Sequence, residues 1–174
     1  LITTGGGGAI ITNNEKLALD CRHLSTTAKK KHQWEFDHDD IGWNDRMPNI
    51  NAALGVAQLE VIDTRIKQKN NLLKKYKQSF SKINNVEIIS DKSKNINNNW
   101  LINIRYLDQN REKVEFWKNS LLEKCHHNGI LIRPVWKLLH KLNIYKNHPK
   151  TFLNIAEDQA SRIISLPSSP QLNK

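Results

Sequence analysis

The chain has 174 residues, enough for one ordinary domain or two lobes with a substantial core. Lys and Arg outnumber Asp and Glu by 27 to 17, a formal charge of +10, so a polyanionic partner has to be weighed. Two distant cysteines, Cys21 and Cys125, argue against a disulfide framework or a cysteine-rich metal site, and no apolar run approaches the roughly 20 residues that span a bilayer.

A reduced, cytoplasmic protein with no membrane partner is therefore expected. The chain opens on Leu1 rather than on methionine, and is expected to be internal to a longer polypeptide.

In chain order, residues 5–8 are four glycines leading into an apolar run at 9–12, read as a short buried strand. An Asn-led helix carrying Leu17, Leu19, Cys21 and Leu24 follows. Residues 26–44 show no period and read as a long loop anchored by Trp34, Phe36 and Trp43. From Met47 to Phe80 the pattern is that of one long helix with Pro48 in its first turn. Its Ala-, Leu- and Val-rich start around Gly55 predicts tight packing. Its later lysines, opposite Ile66, Leu72, Leu73 and Tyr76, predict a solvated face rather than a nucleic-acid stripe.

Beyond it the expected elements are a strand at 86–89, a polar hinge at 90–99, a strand at 100–106 and a helix at 111–127 closed by Asn128-Gly129. A strand at 130–132, a helix at 154–162 and a strand at 163–166 complete the pattern. A strand feeding a helix is α/β grammar. The expected division is 1–50 as the end of a large domain with an active-site loop, 51–82 as a bridging helix, and 83–174 as a small α/β domain.

Three stretches carry chemistry. The glycines lack the Lys-Ser/Thr of a Walker loop and the spacing of a dinucleotide loop, so a turn is favoured over a phosphate cradle. The cluster Gly42-Trp43-Asn44-Asp45-Arg46 stands just before the long helix, whose free N–H groups favour an anion. Asn44 can donate to a phosphate oxygen and Arg46 can grip a carboxylate or phosphate; equally, Asn44 or Asp45 can cap the helix and Arg46 can form a surface ion pair. The third stretch sets Arg133-Pro134 before Trp136 and His140, a cation, a rigid turn, an aromatic face and a titratable donor. That set suits a nucleotide or sugar ring, against the plainer alternative of a core Trp and an exposed His. No histidine has metal-ligand spacing, and no metal is assigned.

Together these stretches resemble the DegT/DnrJ/StrS family of sugar-nucleotide aminotransferases, pyridoxal-phosphate enzymes of fold type I. The resemblance rests on Thr3-Thr4 with the glycines, on the segment from Gly42 to Leu59, on Arg133, Pro134, Trp136 and His140, and on the Leu-Pro-Ser-Ser-Pro at 166–170. It implies an α/β fold, the end of the cofactor-binding large domain plus the small domain.

It further implies a homodimer with shared sites. In it Asn44 reaches the pyridoxal 5'-phosphate of the neighbouring subunit, Trp43 and Arg46 lie around that site, and Arg133, Trp136 and His140 meet substrate. The substrates implied are a UDP-linked 4-keto-6-deoxy sugar of the bacillosamine or legionaminic-acid type and glutamate as amino donor, in surface-glycan synthesis. The cofactor-bearing lysine is expected immediately before Leu1, so this chain alone is expected to be inactive. Two alternatives stand beside this reading: a dehydratase of the same family with histidine in place of that lysine, and a noncatalytic basic binding module.

Overall fold

The computed structural model describes residues 1–91 and 97–173; the hinge expected at 90–99 lies partly outside them. Two units divide the chain, one running from Ile2 to Ile62 and the other from Asp63 onward with Leu1.

In the first unit, α1 (Glu15–Leu24) starts where Asn14 accepts a hydrogen bond from the Leu17 N–H at 3.0 Å. Glu15 in its first turn and Arg22 and His23 in its last complement the helix dipole. The glycine run makes a turn: Gly5 and Gly7 hold φ of 75° and 110°, a region that side chains resist. A Cβ on Gly7 would lie 2.6 Å from Met47 Cε, and the Asn51 amide donates to the Thr4 carbonyl. The first two motif stretches are thus packed together.

The strand expected at 9–12 is absent. A strand exists only with a ladder partner, and none of the described residues pairs with this run, so Ile10 and Ile11 lie exposed.

The single long helix is two, α2 (Asn49–Glu60) and α3 (Ile62–Phe80), parted at Val61, whose φ of −112° and ψ of 8° leave helical geometry. The break falls at consecutive β-branched residues, Val61 and Ile62, both weak helix formers. The tight packing expected around Gly55 is confined to one contact, where a Cβ would lie 3.1 Å from Thr4 Cγ2; no residue of α2 is buried, and Ile50, Val56 and Leu59 are exposed.

The second unit is built on a four-stranded antiparallel sheet, β1 (Val86–Ile88), β2 (Ile102–Tyr106), β3 (Arg133–Pro134) and β4 (Ile163–Leu166), in the order β1-β2-β4-β3. Ile102 faces Leu166 and Ile104 faces Ile164 across the central pair. This alternation puts Val86, Ile88, Ile104, Ile164 and Leu166 on one side. There they pack with Tyr76 and Phe80 of α3 and with Trp117, Leu121, Leu122 and Cys125 of α4 (Arg111–His127). The other side is polar, with Ser165 Oγ donating to Asn103 Oδ1 at 2.8 Å and Arg105 bonded to Glu87 and Gln159.

Asn128 ends α4 and Gly129 takes φ of 72°, as the sequence predicts. The strand expected at 130–132 is displaced to Arg133–Pro134, the residues that β4 pairs with; Ile132, just before them, is buried in the core. The lysine face of α3 is solvated at Lys67, Lys74, Lys75 and Lys77, but not at Lys69, which is 2% exposed. Its Nζ donates to the carbonyls of Trp100 (2.7 Å) and Ser168, which flank β2 and β4, and burial pushes its pKa down.

At the start of β4, α5 (Asn154–Arg162) ends on a buried guanidinium. Arg162 Nη1 donates to the carbonyls of Tyr106 (3.0 Å) and Asp108 (2.7 Å), and Nε donates to Asp158 Oδ2 at 3.0 Å. Hydrogen bonding from Arg162 holds the Asp158 carboxyl below its ordinary value. A depressed carboxylate stabilises the fold fully above its unfolded pKa, about 3.9, and loses that contribution as pH falls through the lower folded value. Asp158→Asn should therefore lower the urea midpoint at about pH 7, and the difference from wild type should shrink as pH falls below the unfolded value and through the lower folded one.

Candidate functional site

The loop at 26–44 forms as expected, but not by anchoring aromatics. Trp34, Phe36 and Trp43 are all exposed, and Phe36 carries Lys29 Nζ over its ring at 3.8 Å. What holds the loop is backbone. Trp43 N–H donates to the Leu24 carbonyl (2.7 Å), Thr27 N–H to the Trp43 carbonyl (2.9 Å) and Asp45 N–H to the Ser25 carbonyl (3.0 Å), with bridges at Thr26–Asn44 and Lys29–His38.

Side chains brace it further. His23 Nε2 meets Asp39 Oδ1 at 2.5 Å, and His38 Nδ1 meets the Thr27 carbonyl at 2.6 Å. The contact with His23 and the contact of Lys30 Nζ with Asp37 (2.8 Å) hold Asp39 and Asp37 below their ordinary pKa values.

This arrangement decides between the alternatives left open for Asn44 and Asp45. Helix α2 begins only at Asn49, after Pro48, with no side-chain cap, so neither residue caps it. Among the described residues, the Asn44 amide and the Arg46 guanidinium have no hydrogen-bond or ion-pair partner. The segment is braced along its backbone while an amide N–H donor and a guanidinium stay without partners, groups able to donate to an anion.

In the second unit the register sets Arg133 opposite Ser165, and Ser165 opposite Asn103, in one row on the polar side of the sheet. Trp136 is 73% exposed, which rules out the core-filling role, and its ring lies 5.9 Å from that of Trp100, tilted by 42°. Val135, Trp136, Lys137 and Leu139 line one side of a groove of about 490 Å³, with Ala156, Gln159 and Ala160 of α5 on the other. His140 is not an exposed histidine. It lies in a short 3-10 turn, Leu139–Lys141, its side chain 13% exposed and its Nε2 2.7 Å from Glu157 Oε1. That hydrogen bond keeps Glu157 below the ordinary carboxylate value, with Lys141 Nζ at 3.5 Å from Oε2 adding to it.

In the first unit Trp43, Asn44 and Arg46 are near neighbours in the chain; in the second, Trp136 lines the groove, Arg133 stands on the sheet's polar side and His140 is held by Glu157, with no contact joining the three among the described residues. Sequence reasoning missed Trp100 and Glu157. Trp100 stands thirty-six residues before its partner ring and Glu157 seventeen after its histidine, separations that no periodic pattern links. Among the described residues no three His, Cys, Asp or Glu side chains cluster as a metal site would need, and no helix is long and apolar enough to cross a membrane.

Against this geometry, residues 1–174 match the sequence profile of the DegT/DnrJ/EryC1/StrS aminotransferase family. The chain is 36% identical to the GDP-perosamine synthase of Escherichia coli O157:H7, over 99% of its own length and 44% of the relative's. It is 27% identical to the UDP-4-amino-4,6-dideoxy-N-acetyl-beta-L-altrosamine transaminase of Campylobacter jejuni, over 99% and 45%. Among solved structures, Helicobacter pylori PseC, an aminotransferase involved in the biosynthesis of pseudoaminic acid, superposes with a TM-score of 0.86 at 28% identity, covering 98% of this chain and 46% of PseC. The chain spans less than half the length of these relatives. With its whole length matched, and with a fold that coincides with part of PseC, the chain belongs to the DegT/DnrJ/EryC1/StrS aminotransferase family.

Proposed function

We propose that this chain is the C-terminal part of a pyridoxal 5'-phosphate-dependent aminotransferase that aminates a UDP-linked 4-keto-6-deoxy sugar with glutamate as donor. The observation that carries the reading is the braced loop whose Asn44 amide and Arg46 guanidinium are unspent, in a chain that matches the family over residues 1–174. These residues fit the phosphate end of the cofactor, where an amide N–H and a guanidinium can both donate to anionic oxygens. When bound, the cofactor supplies the electron sink for amino transfer.

This chain's own residues bind and orient. Asn44 donates to the phosphate, Trp43 and Arg46 flank it, Arg133 pairs with an anionic group of the sugar nucleotide or of glutamate, and Trp136 offers a face to a planar ring. The lysine that would bear the cofactor is proposed to lie outside this chain, which alone is then inactive. The proposed assembly is a homodimer in which Asn44 serves the neighbouring subunit's cofactor. The exposed apolar residues of α2, which soluble surfaces rarely gather on one helix, support such a contact. Two free cysteines, Cys21 and Cys125, fit a reducing cytoplasmic compartment.

The test is made on the full-length protein. Incubation with glutamate and a UDP-linked 4-keto-6-deoxy sugar should release 2-oxoglutarate, and the GDP-linked analogue should be the poorer acceptor. Asn44→Ala should lose most of its cofactor on dialysis, roughly a tenfold weakening for a charge-assisted hydrogen bond. No 2-oxoglutarate with either acceptor would sink the aminotransferase reading, and unchanged cofactor occupancy in Asn44→Ala would remove the phosphate role.

A further inference from the structure

The contact between His140 and Glu157 has a direction that the chemistry fixes. Glu157 lies in the first turn of α5, where the helix dipole favours an ionised carboxylate, and an ionised carboxylate only accepts hydrogen bonds. The 2.7 Å approach of Nε2 to Oε1 therefore requires the hydrogen on Nε2. Lys141 Nζ, 3.5 Å from Oε2, takes the other oxygen, so a single carboxylate fastens two consecutive residues of the 3-10 turn to α5. Leu139 and Ala156, the residues just before His140 and Glu157, both line the groove beside Trp136.

We infer that Glu157 is a positioning residue that locks the His140 imidazole as its Nε2–H tautomer, leaving Nδ1 as the atom that meets the sugar nucleotide. The ligand half of this inference rests on the function proposed above; the tautomer half does not. A neutral imidazole so locked presents the Nδ1 lone pair, an acceptor for a hydroxyl or amide N–H of the ligand. Without Glu157 the ring divides between tautomers and orientations, and the acceptor is offered only part of the time. Glu157 is itself 42% exposed, so the contact contributes little to folding and its loss leaves the fold in place.

The ring is read directly by long-range nitrogen–carbon correlation of 15N-histidine in the full-length protein near pH 8, with His140→Gln identifying the His140 signals. Wild type should show one Nε2–H tautomer. Glu157→Ala should show a mixture. Glu157→Gln, whose amide can also donate, should admit the Nδ1–H form, and Glu157→Asp should restore the wild-type form at least in part. A His140 spectrum that is the same in wild type and Glu157→Ala overturns the inference.

In the full-length enzyme, Glu157→Ala should raise the sugar-nucleotide KM about fivefold with kcat little changed, and it should add nothing to His140→Ala. Full additivity of the two substitutions overturns the positioning role. A His140→Ala enzyme with unchanged KM overturns the ligand half, and with it the place given to His140 in the proposed site, whereas the tautomer result is then judged by the spectra alone.

Discussion

Gly42→Ala should dislodge the loop that carries Asn44, although residue 42 has no side chain to lose. A Cβ at Gly42 would stand 2.4 Å from Ala28 N, 2.5 Å from Thr27 C and 2.8 Å from Thr27 Cα, all backbone atoms. None of them can rotate aside. Thr27 and Ala28 already hold φ of 67° and 50°, which non-glycine residues rarely adopt, and Ala28 is wholly buried. The clash is relieved only by opening the ladder from Leu24 to Asp45, at a cost of about 2–4 kcal/mol. The expected signature is local: faster hydrogen exchange at the amides of Thr27, Trp43 and Asp45, and in the full-length protein a loss of cofactor on dialysis as large as that of Asn44→Ala. Wild-type exchange at those three amides would show that the close approach is not rigid.

Lys69→Glu should come near to unfolding the second unit. Lys69 is a helix residue whose ammonium joins the carbonyl before β2 to the carbonyl after β4. A carboxylate there has no hydrogen to give and faces two carbonyl oxygens, so a buried charge and two part-buried acceptors all go unpaired. The cost is about 3–5 kcal/mol, against a total stability for such a domain of about 5–15 kcal/mol. Lys69→Met keeps the volume, removes the charge and leaves only the carbonyls short of a donor, for about 1–3 kcal/mol.

The pH dependence separates the two effects of the native lysine. Burial lowers its folded pKa, so its charge opposes folding below that value, and the opposition fades as pH rises towards the unfolded value of about 10.4. Wild type should gain stability over that alkaline range relative to Lys69→Met. Urea midpoints of the three proteins at neutral and alkaline pH measure this, and a Lys69→Glu protein as stable as Lys69→Met would show that the site is open to water.

Helices whose ends carry their own chemistry were legible in the sequence. The Asn lead into α1 and Asn128-Gly129 after α4 set boundaries that the structure reproduces, because a cap is a local hydrogen bond among neighbours in sequence. Elements that depend on distant partners were not legible. The apolar run at 9–12 reads as a strand but pairs with none of the described residues, whereas the two-residue β3 is a strand solely because β4 lies beside it. Lys69 shows the same limit: its spacing places it among solvated lysines, and only the return of the chain at Trp100 and Ser168 turns it inward.

At the candidate site, residue types and motif order pointed to Asn44, Arg46, Arg133, Trp136 and His140. The groups that hold them are backbone atoms, a glycine's missing Cβ and a carboxylate on another helix, and these leave no pattern in a linear string.

The strand order β1-β2-β4-β3 puts β4, late in the chain, between β2 and β3. On the ribosome, β2 and β3 therefore emerge long before the strand that joins them, and β3 has no partner in the sheet until residues 163–166 arrive. The buried isoleucines of β2, Ile102 and Ile104, wait with it for Ile164 and Leu166. Until then the edge of β2 that β4 covers has no partner in this sheet. The closing of the sheet, and with it the seating of Arg133 beside Ser165, waits for that strand.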